Sequence, residues 1–535
     1  MLNSKTLHEV LQYSANAFAN NPFVAFVGEK PLTFSDFSLR VKDVQDILVS
    51  RGVSYQDKVV VLGQNSPSWT IAYISVVDMG AVAVPLLPDF SSEEIANCIN
   101  HSDAKTAFIS ERLMEKIDIS LLQNIDTIIS LDDFGILYQR QDSSKQGLIT
   151  IPQPEDLAVI IYTSGTTGFS KGVMLSHSNL ASQLVQVHHI HTIREDDVYL
   201  SLLPLSHTLE NSLCLLTALM HGASIYFHNK LPIAKTFMES VKIVRPTTML
   251  SVPLLIEKAY KTVIKPELEK TTLRRILLTS YLFKRIMYRK AAKKLYEAFG
   301  GRLRFFGIGG AKLDGETELF LRLGRHFPYA IGYGLTETAP LIIGANPKQV
   351  SWQTIGYPLI NVDIKLGDIN PQTGEGEILA KGPNIMRGYY KEPELTESAF
   401  TEDGYFRTGD LAIFKNGRYE IKGRLKNVII GASGENIYPE EIEMVIKQNN
   451  LVLESVVVER NGKLIAMVEF NPEELEKRIG HLRKDTQKLI DSLREELLVY
   501  ANQRLNRFSK LSVVVEVKKG FEKTATLKIK RHIYK

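Results

Sequence analysis

The stretch KVVVLGQNSPSWTIAYISVVDMGAVAVPLLP, residues 58–88, places a helix-like segment between two apolar runs rich in β-branched residues. The runs KVVVLG and GAVAVPLLP are typical of buried strands, and the segment SPSWTIAYISVVDMG between them is typical of a helix. The same rhythm returns at LAVIIYTSG, residues 157–165, and at GASIYFH, residues 222–228. Strands that alternate with helices predict an α/β fold, here a large multi-layer N-terminal domain whose sheets are rich in parallel strands.

Length and composition restrict the class of protein. A chain of 535 residues, 44% hydrophobic and 23% charged, is expected to form more than one globular domain rather than a disordered or fibrous protein. Its formal charge of +4, from 64 basic and 60 acidic residues, gives no reason to expect a nucleic-acid partner. Cys98 and Cys214 match neither a disulfide framework nor a zinc-binding spacing, which favours a reducing cytoplasm.

The apolar segments of the chain are short. The sequence has no signal-peptide core and no run of about 18 apolar residues, so it predicts a cytoplasmic protein that does not span a membrane. Peripheral attachment stays open, because an interfacial surface needs only a basic or apolar patch.

The composition of the sequence changes near residue 421, where the polar, basic stretch IKGRLKN begins. NIYPEEIEMVIKQ, residues 436–448, has a proline and two glutamates at a helix start, and Asn461-Gly462 between two alternating runs predicts a tight hairpin. A later amphipathic helix has one apolar stripe, formed by Leu489, Leu493, Leu497 and Ala501. We therefore predict an N-terminal domain of residues 1–421 and a small mobile α+β domain of residues 422–535.

The loop that follows the run at residue 157 is rich in hydrogen-bond donors. Its glycines let backbone N–H groups approach an anion, its hydroxyls add donors and its lysine adds a charge, which suits a polyphosphate. Only two residues separate its first and second glycines, so its spacing is not that of a P-loop, and composition alone leaves a solvated strand-to-helix turn as the alternative. The candidate phosphate-binding residues are Thr163, Ser164, Gly165, Thr166, Thr167, Gly168 and Lys171.

A series of motifs resembles the adenylate-forming (AMP-binding) superfamily, which includes acyl-CoA synthetases, luciferases and the adenylation domains of peptide synthetases. The motifs are YTSGTTGFSKG (162–172), LPLSH (203–207), GIGGAK (307–312), YGLTET (333–338), YFRTGDL (405–411), GRLKNVIIGASGENIYPEEIE (423–443) and TATLKIKR (524–531). They follow the family's order over almost the whole chain. The resemblance implies that a carboxylate is joined to the α-phosphate of ATP with release of pyrophosphate, and that the acyl-adenylate then passes to the thiol of coenzyme A.

The resemblance also implies a nucleotide site. By resemblance the Tyr333 ring, with Gly334 beside it, stacks on adenine, and the segment Gly309, Gly310 and Ala311 forms the other side of the adenine slot. Thr336 binds the α-phosphate and Glu337 holds Mg²⁺. Asp410 and Arg424 contact ribose or phosphate. Thr166 is a weaker candidate for Mg²⁺, an ion that prefers one or two carboxylates with phosphate oxygens.

Two further assignments follow from the C-terminal motifs. Lys528 matches the family's lysine at the reacting carboxylate and α-phosphate, although a lysine near a terminus is by itself ordinary surface. In relatives the small domain turns about the position of Lys426. The turn brings Lys528 into the active site for adenylation and then the segment around Gly434 for thiol transfer, where the pantetheine arm of coenzyme A passes. As a single residue, Gly434 is equally a plain turn glycine.

His207 is assigned by resemblance to the mouth of the acyl pocket, beside the carboxylate, where a structural histidine is the alternative. The segments NSLCLLTALMHG (211–222) and TMLSVPLLIEKAY (248–260) are apolar, which favours a hydrophobic carboxylic acid as the substrate, although buried helices have a similar composition. Across residues 248–340 the pattern most resembles the long-chain fatty acyl-CoA synthetase branch. The predicted function is therefore long-chain fatty acid–CoA ligase, with ATP, Mg²⁺ and coenzyme A.

Residues 271–304 contain ten Lys or Arg and one acid, a local charge of +9 (10 minus 1). The stretch predicts contact with anionic lipid at the inner face of a membrane, attraction of the CoA phosphates, or simply a solvated helix face. Two other functions stay open, an acyl–acyl carrier protein ligase and a non-catalytic nucleotide- and lipid-binding relative. The second is disfavoured because five motif residues are present together: Lys171, Glu337, Asp410, Arg424 and Lys528.

Overall fold

The computed structural model describes residues 4–140, 146–163, 170–229, 233–430, 436–479, 486–524 and 529–534. The chain divides into two compact units, the first made of Met1–Lys365 with Leu379–Arg407 and the second of Leu366–Ile378 with Thr408–Lys535.

The first unit ends and the second resumes at 407/408. Residues just after this point bond within the second unit: Thr408 Oγ1 donates to the Ile378 carbonyl at 2.8 Å, and the Gly409 N–H donates to the Glu377 carboxylate at 2.9 Å. The domain boundary at 421/422 stays a prediction. Rotation of a small domain about Lys426 stays a prediction. Lys426 itself lies in the 3₁₀ turn Leu425–Asn427 of the second unit.

The strands, in chain order, are β1 (Pro22–Phe26), β2 (Leu32–Thr33), β3 (Lys58–Leu62), β4 (Val82–Leu86), β5 (Thr106–Ile109), β6 (Thr127–Ser130), β7 (Ile136–Gln139), β8 (Leu157–Thr163), β9 (Lys171–Ser176), β10 (Val198–Leu200), β11 (Ser224–Phe227), β12 (Thr248–Ser251), β13 (Phe305–Ile308), β14 (Tyr329–Gly334), β15 (Leu341–Ala345), β16 (Tyr357–Pro358), β17 (Asp363–Gly367), β18 (Glu375–Lys381), β19 (Gly388–Tyr389), β20 (Phe406–Lys415), β21 (Arg418–Arg424), β22 (Ile429–Ile430), β23 (Asn436–Ile437), β24 (Val452–Arg460), β25 (Lys463–Phe470) and β26 (Val513–Glu516).

The α-helices are α1 (Leu7–Ala17), α2 (Phe34–Ser50), α3 (Pro67–Asp78), α4 (Ser92–Ser102), α5 (His177–Ile190), α6 (Thr208–Glu210), α7 (Thr217–His221), α8 (Ala234–Val244), α9 (Pro253–Ala259), α10 (Lys265–Leu268), α11 (Thr272–Thr279), α12 (Tyr281–Ala298), α13 (Gly315–Gly324), α14 (Pro393–Ser398), α15 (Pro439–Lys447), α16 (Pro472–Ile479) and α17 (Thr486–Arg504). A π-helical turn, Asn211–Leu216, joins α6 to α7.

The first unit contains two large sheets. Within the described residues one sheet has nine strands in the order β16-β15-β14-β13-β12-β10-β11-β1-β2, and the other has eight in the order β19-β9-β8-β4-β3-β5-β6-β7. The interior pairings are parallel, as between β3 and β4 or β13 and β14, and antiparallel strands such as β9 and β15 lie toward the edges. The predicted α/β fold with parallel-rich sheets is therefore confirmed.

The stretch 58–88 forms the unit that its sequence predicts. Strands β3 and β4 pair in parallel and α3 connects them. Helix α3 begins where Ser66 Oγ accepts the Trp69 N–H and Pro67 occupies the first turn, a position where a missing N–H costs nothing. Its residues from Trp69 to Asp78 are all buried, so this helix belongs to the core of the first unit.

The second unit has a small core of its own. Strands β24 and β25 form the hairpin predicted at Asn461-Gly462, with Arg460 opposite Lys463. Pro439 begins α15 as predicted, and three members of the predicted stripe on α17, Leu493, Leu497 and Ala501, are buried in this core. No helix within the described ranges is both long and apolar enough to cross a bilayer.

Candidate active site

The phosphate-loop candidates lie between two antiparallel strands of the eight-stranded sheet. Thr163 ends β8 and faces Lys171, which begins β9. The connection is thus a strand-to-strand loop, not the strand-to-helix turn considered from composition, because KGVMLS pairs with β8 before α5 begins at His177. Ser164, Gly165, Thr166, Thr167 and Gly168 lie outside the described residues.

Tyr389 brings together the predicted phosphate lysine and the predicted metal ligand. Strand β19 pairs with β9, which places Tyr389 opposite Val173. Lys171 Nζ lies 5.3 Å from the centroid of the Tyr389 ring, within cation–π range, and the Tyr389 hydroxyl donates to Glu337 Oε1 at 2.9 Å. One aromatic residue therefore contacts both a cationic and an anionic side chain.

Glu337 is positioned by its own turn and by the segment before β19. It lies in the 3₁₀ turn Thr336–Thr338 after β14, and its carbonyl accepts the Met386 N–H at 2.8 Å. The Asn384 amide donates to the carbonyls of Thr338 at 2.7 Å and Leu341 at 3.0 Å. The turn is thus fixed on both sides, with Thr336 buried and Glu337 half-buried.

Gly334 allows this turn to close against the next strand. A Cβ at this position would lie 1.7 Å from the Pro340 carbonyl oxygen, a backbone atom that cannot move aside cheaply. The adjacent Leu335 N–H donates to that same oxygen at 3.0 Å. Glycine is therefore required at position 334, because any side chain would collide with the Pro340 carbonyl oxygen.

The predicted adenine slot lies at the carboxyl ends of two neighbouring parallel strands, the usual place for ligands in α/β sheets. Gly309 and Gly310 follow β13, Tyr333 lies near the end of β14, and these strands pair through Ile308 and Ile331. Gly310 has φ +83°, a conformation that favours glycine, and Ala311 after it is exposed. The structure thus brings together the two motifs predicted to flank adenine.

His207 caps the short helix α6. Its Nδ1 accepts the Leu209 N–H at 3.2 Å, so a neutral ring carries its proton on Nε2. A Cβ built on Gly309 would lie 3.7 Å from the Leu209 side chain, so the His207 segment neighbours the GIGGAK motif.

Two residues that sequence analysis missed hold the loop before His207. The Asn65 amide donates to the Leu203 carbonyl at 2.7 Å and accepts the Leu205 N–H at 2.9 Å. The Glu210 carboxylate, fully buried, accepts the Leu202 N–H at 3.1 Å, and burial raises its pKa to about 7. The only signal in the sequence was local: Asn65 precedes the helix cap of α3, and Glu210 follows the LPLSH motif by three residues.

An apolar cavity of about 40 Å³ lies beside α5 in the first unit. Leu213 and Leu250, one from each predicted apolar segment, contribute to its wall, together with His191, whose ring stacks on Phe305 at 4.5 Å. Burial lowers the pKa of His191 to about 4, so its ring is neutral at pH 7. The volume is on the order of one or two water molecules, so any larger apolar ligand would have to displace side chains to enter.

The predicted ribose-binding pair belongs to the second unit. Asp410 on β20 faces Arg424 on β21, and Arg424 Nε lies 2.8 Å from Asp410 Oδ1. Asp410 is buried, and its N–H donates to Thr408 Oγ1 at 3.1 Å. The hairpin thus joins two residues from separate motifs into one ion pair. Gly434 and Lys528 lie outside the described residues.

The donor set around Glu337 fits a magnesium ion that shares its coordination with a nucleotide. Across the described part of the chain no group of three or more His, Cys, Asp or Glu side chains could hold a metal ion by itself. Mg²⁺ typically uses one or two carboxylates together with phosphate oxygens and water. Glu337 supplies one such carboxylate, held in place by the Tyr389 hydroxyl.

The family model for AMP-binding enzymes matches residues 11–390, and the chain belongs to that family. Among curated proteins it is similar to fatty acyl-CoA synthetase A of Dictyostelium discoideum, 28% identical over 459 residues, which cover 78% of this chain and 68% of that protein. It is also similar to long-chain-fatty-acid–CoA ligase 5 of Rattus norvegicus, 28% identical over 527 residues, or 88% and 76% of the two chains. The predicted resemblance to the long-chain fatty acyl-CoA synthetase branch is confirmed.

Solved structures share the fold. The O-succinylbenzoate coenzyme A synthetase of Bacillus subtilis in complex with AMP superposes with a TM-score of 0.78 at 22% identity, covering 98% of this chain and 97% of that one. ATP-bound MatB from Rhodopseudomonas palustris gives 0.76 at 23% identity, with coverage of 99% and 98%.

Proposed function

We propose that this protein is a long-chain fatty acid–CoA ligase that forms AMP. It joins the fatty acid to the α-phosphate of ATP with release of pyrophosphate, then transfers the acyl group from the adenylate to coenzyme A. The observation that carries this proposal is the convergence of Lys171, Tyr389 and Glu337 at one edge of the eight-stranded sheet.

The charges of this cluster suit a reaction between two anions. The Lys171 ammonium binds the β- and γ-phosphates, the leaving group of the first step. Mg²⁺ bound at Glu337 supplies further neutralisation of phosphate charge. Because Tyr389 and Asn384 hold the turn of Glu337, these charges are positioned before ATP binds, which is how preorganised sites lower a barrier.

The acyl carboxylate is bound beside His207 in this proposal. The Nε2–H of the neutral ring donates to a carboxylate oxygen, since Nδ1 is already occupied by the Leu209 N–H. Asn65 and Glu210 fix the preceding loop and hence the orientation of the ring.

Two observations support a fatty acid as the substrate. The cavity beside α5 is lined by apolar side chains from both predicted apolar segments, and the curated relatives named above are fatty acyl-CoA synthetases. The acceptor is coenzyme A, and an acyl carrier protein is the alternative acceptor.

The function is tested by pyrophosphate release from ATP and Mg²⁺ with acids from acetate to palmitate, with and without coenzyme A. We expect release with long-chain acids and acyl-CoA when coenzyme A is present. No release with any acid would overturn the proposal. Release without thioester formation on coenzyme A would point to the carrier protein as acceptor.

The same assay tests Lys528. Lys528→Ala is expected to slow adenylation on the order of a hundredfold, because it removes a charge from the reacting carboxylate and phosphate. Thiol transfer from supplied acyl-adenylate should stay nearly intact. Lys530→Ala is the matched control and should leave both half-reactions unchanged. Equal loss of both half-reactions in Lys528→Ala would contradict its assignment.

A further inference from the structure

Helices α11 and α12 present apolar side chains to solvent. Helix α11 has no buried residue, although half of its side chains are apolar. We call the exposed apolar side chains of the two helices the α11–α12 patch. Its members, with their exposed fractions, are Leu273 (66%), Ile276 (61%), Tyr281 (66%), Leu282 (63%), Phe283 (47%) and Ile286 (44%). Single exposed apolar residues are common on protein surfaces, but six within 14 residues of sequence (273 to 286) are not.

Helix α12 has a core face and an outer face with different compositions. Its buried residues, Tyr288, Ala292 and Leu295, pack into the core of the first unit. At 100° per residue the opposite face is apolar in the first two turns and basic in the next two. The apolar part of that face comprises Leu282, Phe283 and Ile286, and the basic part comprises Arg289, Lys290, Lys293 and Lys294.

The charge around the patch has one sign. Residues 271–294 contain eight Lys or Arg and no Asp or Glu. Acidic partners come only from outside this range: Glu267 lies 3.0 Å from Arg274, and Glu297 lies 3.9 Å from Lys293. A solvated helix face, the alternative considered from the sequence, does not explain exposed leucine, isoleucine and phenylalanine side chains.

We propose that the α11–α12 patch docks on the surface of an anionic lipid bilayer. The apolar side chains enter the boundary between headgroups and acyl chains, and the basic residues that follow on α12 meet the lipid phosphates. This proposal goes beyond the ligase reaction and stands on surface residues alone.

A bilayer fits this surface better than a protein partner. Lysine is depleted at protein–protein interfaces, whereas lysine beside exposed aliphatic and aromatic side chains is typical of helices that lie in the membrane interface. Half of the eight basic residues in 271–294 are lysines. An acidic protein and a second copy of this chain are the competing occupants, and the tests below distinguish them.

The first test is co-sedimentation of the full chain with phosphatidylcholine vesicles, with and without phosphatidylglycerol. We expect binding that requires phosphatidylglycerol and weakens with salt. Leu282→Ser, Phe283→Ser and Ile286→Ser together should lower the partition coefficient about tenfold or more, because three apolar insertions are lost. Leu39→Ser, at a residue 58% exposed on α2, is the matched control and should bind as the unaltered protein does.

Charge reversal tests the role of the basic residues on α12. Lys290→Glu with Lys293→Glu should reduce binding to phosphatidylglycerol vesicles at low salt, and the difference should shrink as salt is raised. Lys42→Glu, at an exposed lysine of α2, is the control. Pyrophosphate release with a soluble acid should stay unchanged in all these variants, which separates failure of docking from failure of the ligase reaction.

Insertion itself is measured with Phe283→Trp. The native chain has two tryptophans, of which Trp69 is fully buried and Trp352 is 49% exposed, so the unaltered protein with the same vesicles is the reference. We expect the added indole to shift its emission to the blue and to be quenched by brominated lipids.

Three results would overturn the proposal. The first is equal vesicle binding by the triple serine variant and the unaltered protein. The second is a dimer that the triple serine variant dissociates, which would make the patch a self-interface. The third is loss of binding to acyl carrier protein in the charge-reversal variant while vesicle binding persists.

Discussion

At the scale of single residues, Tyr389 is the side chain that organises the charges of the site. Its hydroxyl donates to the Glu337 carboxylate, and its ring lies beneath the Lys171 ammonium at 5.3 Å. Hydrogen bonds to charged groups are worth about 1.5–3 kcal/mol, more than those between neutral groups. Tyr389 therefore restrains the carboxylate that we propose binds Mg²⁺, while its aromatic face favours the position of the cation.

Tyr389→Phe is expected to lower the rate of adenylation about tenfold or more. Only the hydroxyl is removed, and the loss of one hydrogen bond to a carboxylate costs about 1.5 kcal/mol, a factor of about ten. Pyrophosphate release at varied Mg²⁺ measures the effect, and the concentration of Mg²⁺ needed for half-maximal rate should rise.

Tyr390→Phe is the matched control for that substitution. The Tyr390 hydroxyl hydrogen-bonds Asp103 at 3.0 Å on the exposed side of the same segment, away from Glu337. The control should keep its rate and its Mg²⁺ dependence. If the two phenylalanine variants behave alike, Tyr389 does not position Glu337.

At the scale of elements, the turn between β14 and β15 sets the geometry of the site. The sequence predicted that YGLTET binds nucleotide, but it did not indicate why Gly334 stands there. The structure supplies the reason, since the Pro340 carbonyl occupies the space of a Cβ. Such a requirement depends on the return path of the chain and is invisible in the motif itself.

Gly334→Ala is expected to destabilise the first unit by about 1–3 kcal/mol, the usual cost of overpacking. It should also reduce adenylation more than its effect on stability explains, because the displaced turn contains Thr336 and Glu337. Thermal unfolding and pyrophosphate release measure the two effects. Gly315→Ala is the control, since its Cβ would meet only ordinary contacts at 3.6 Å and beyond. Equal stability of the two variants would contradict the steric argument.

Element types followed from the sequence wherever local chemistry decides them. The strand–helix–strand unit at 58–88 and the hairpin at Asn461-Gly462 were predicted and are confirmed, because apolar periodicity and turn residues act over a few neighbours. Strand β9 was missed. Its residues become a strand by pairing with β8 and β19, and that pairing partner at 388–389 lies more than 200 residues away.

At the scale of the whole molecule, burial of histidines makes the first unit sensitive to acid. Burial lowers the pKa of His177, His191 and His221 to about 4, from an ordinary value of 6.5. Between these two values the unfolded chain binds protons that the folded chain does not. Stability of the first unit therefore rises with pH across that window and falls on acidification.

Urea unfolding at several pH values should show this slope, to which each such histidine contributes up to about 1.4 kcal/mol per pH unit. His191→Leu should make the slope shallower by one such contribution, because it removes a group that must stay neutral in the folded state. An unchanged slope would mean that His191 takes up a proton in the folded protein.

His8 serves as a control because its contribution to stability changes with pH in the opposite direction. Its hydrogen bond with Asp78, at 2.9 Å between Nδ1 and Oδ1, raises the pKa of His8 above 6.5. The stabilisation from this pair is fully present below the ordinary pKa of histidine and is lost as the pH rises through the raised value. His8→Gln should therefore destabilise the protein at low pH more than at high pH.

The sequence by itself determined the α/β class, the family and the residues of each motif, because these depend on periodicity, turn chemistry and short-range spacing. Only the tertiary structure decided which side chains meet. Tyr389 contacts Glu337 across 52 residues of chain, Asp410 pairs with Arg424 through a hairpin, and the second unit takes in residues 366–378. The exposure of Leu282 and Phe283 was equally undetermined, since an apolar residue is buried or exposed according to what packs against it, and packing joins segments far apart in sequence.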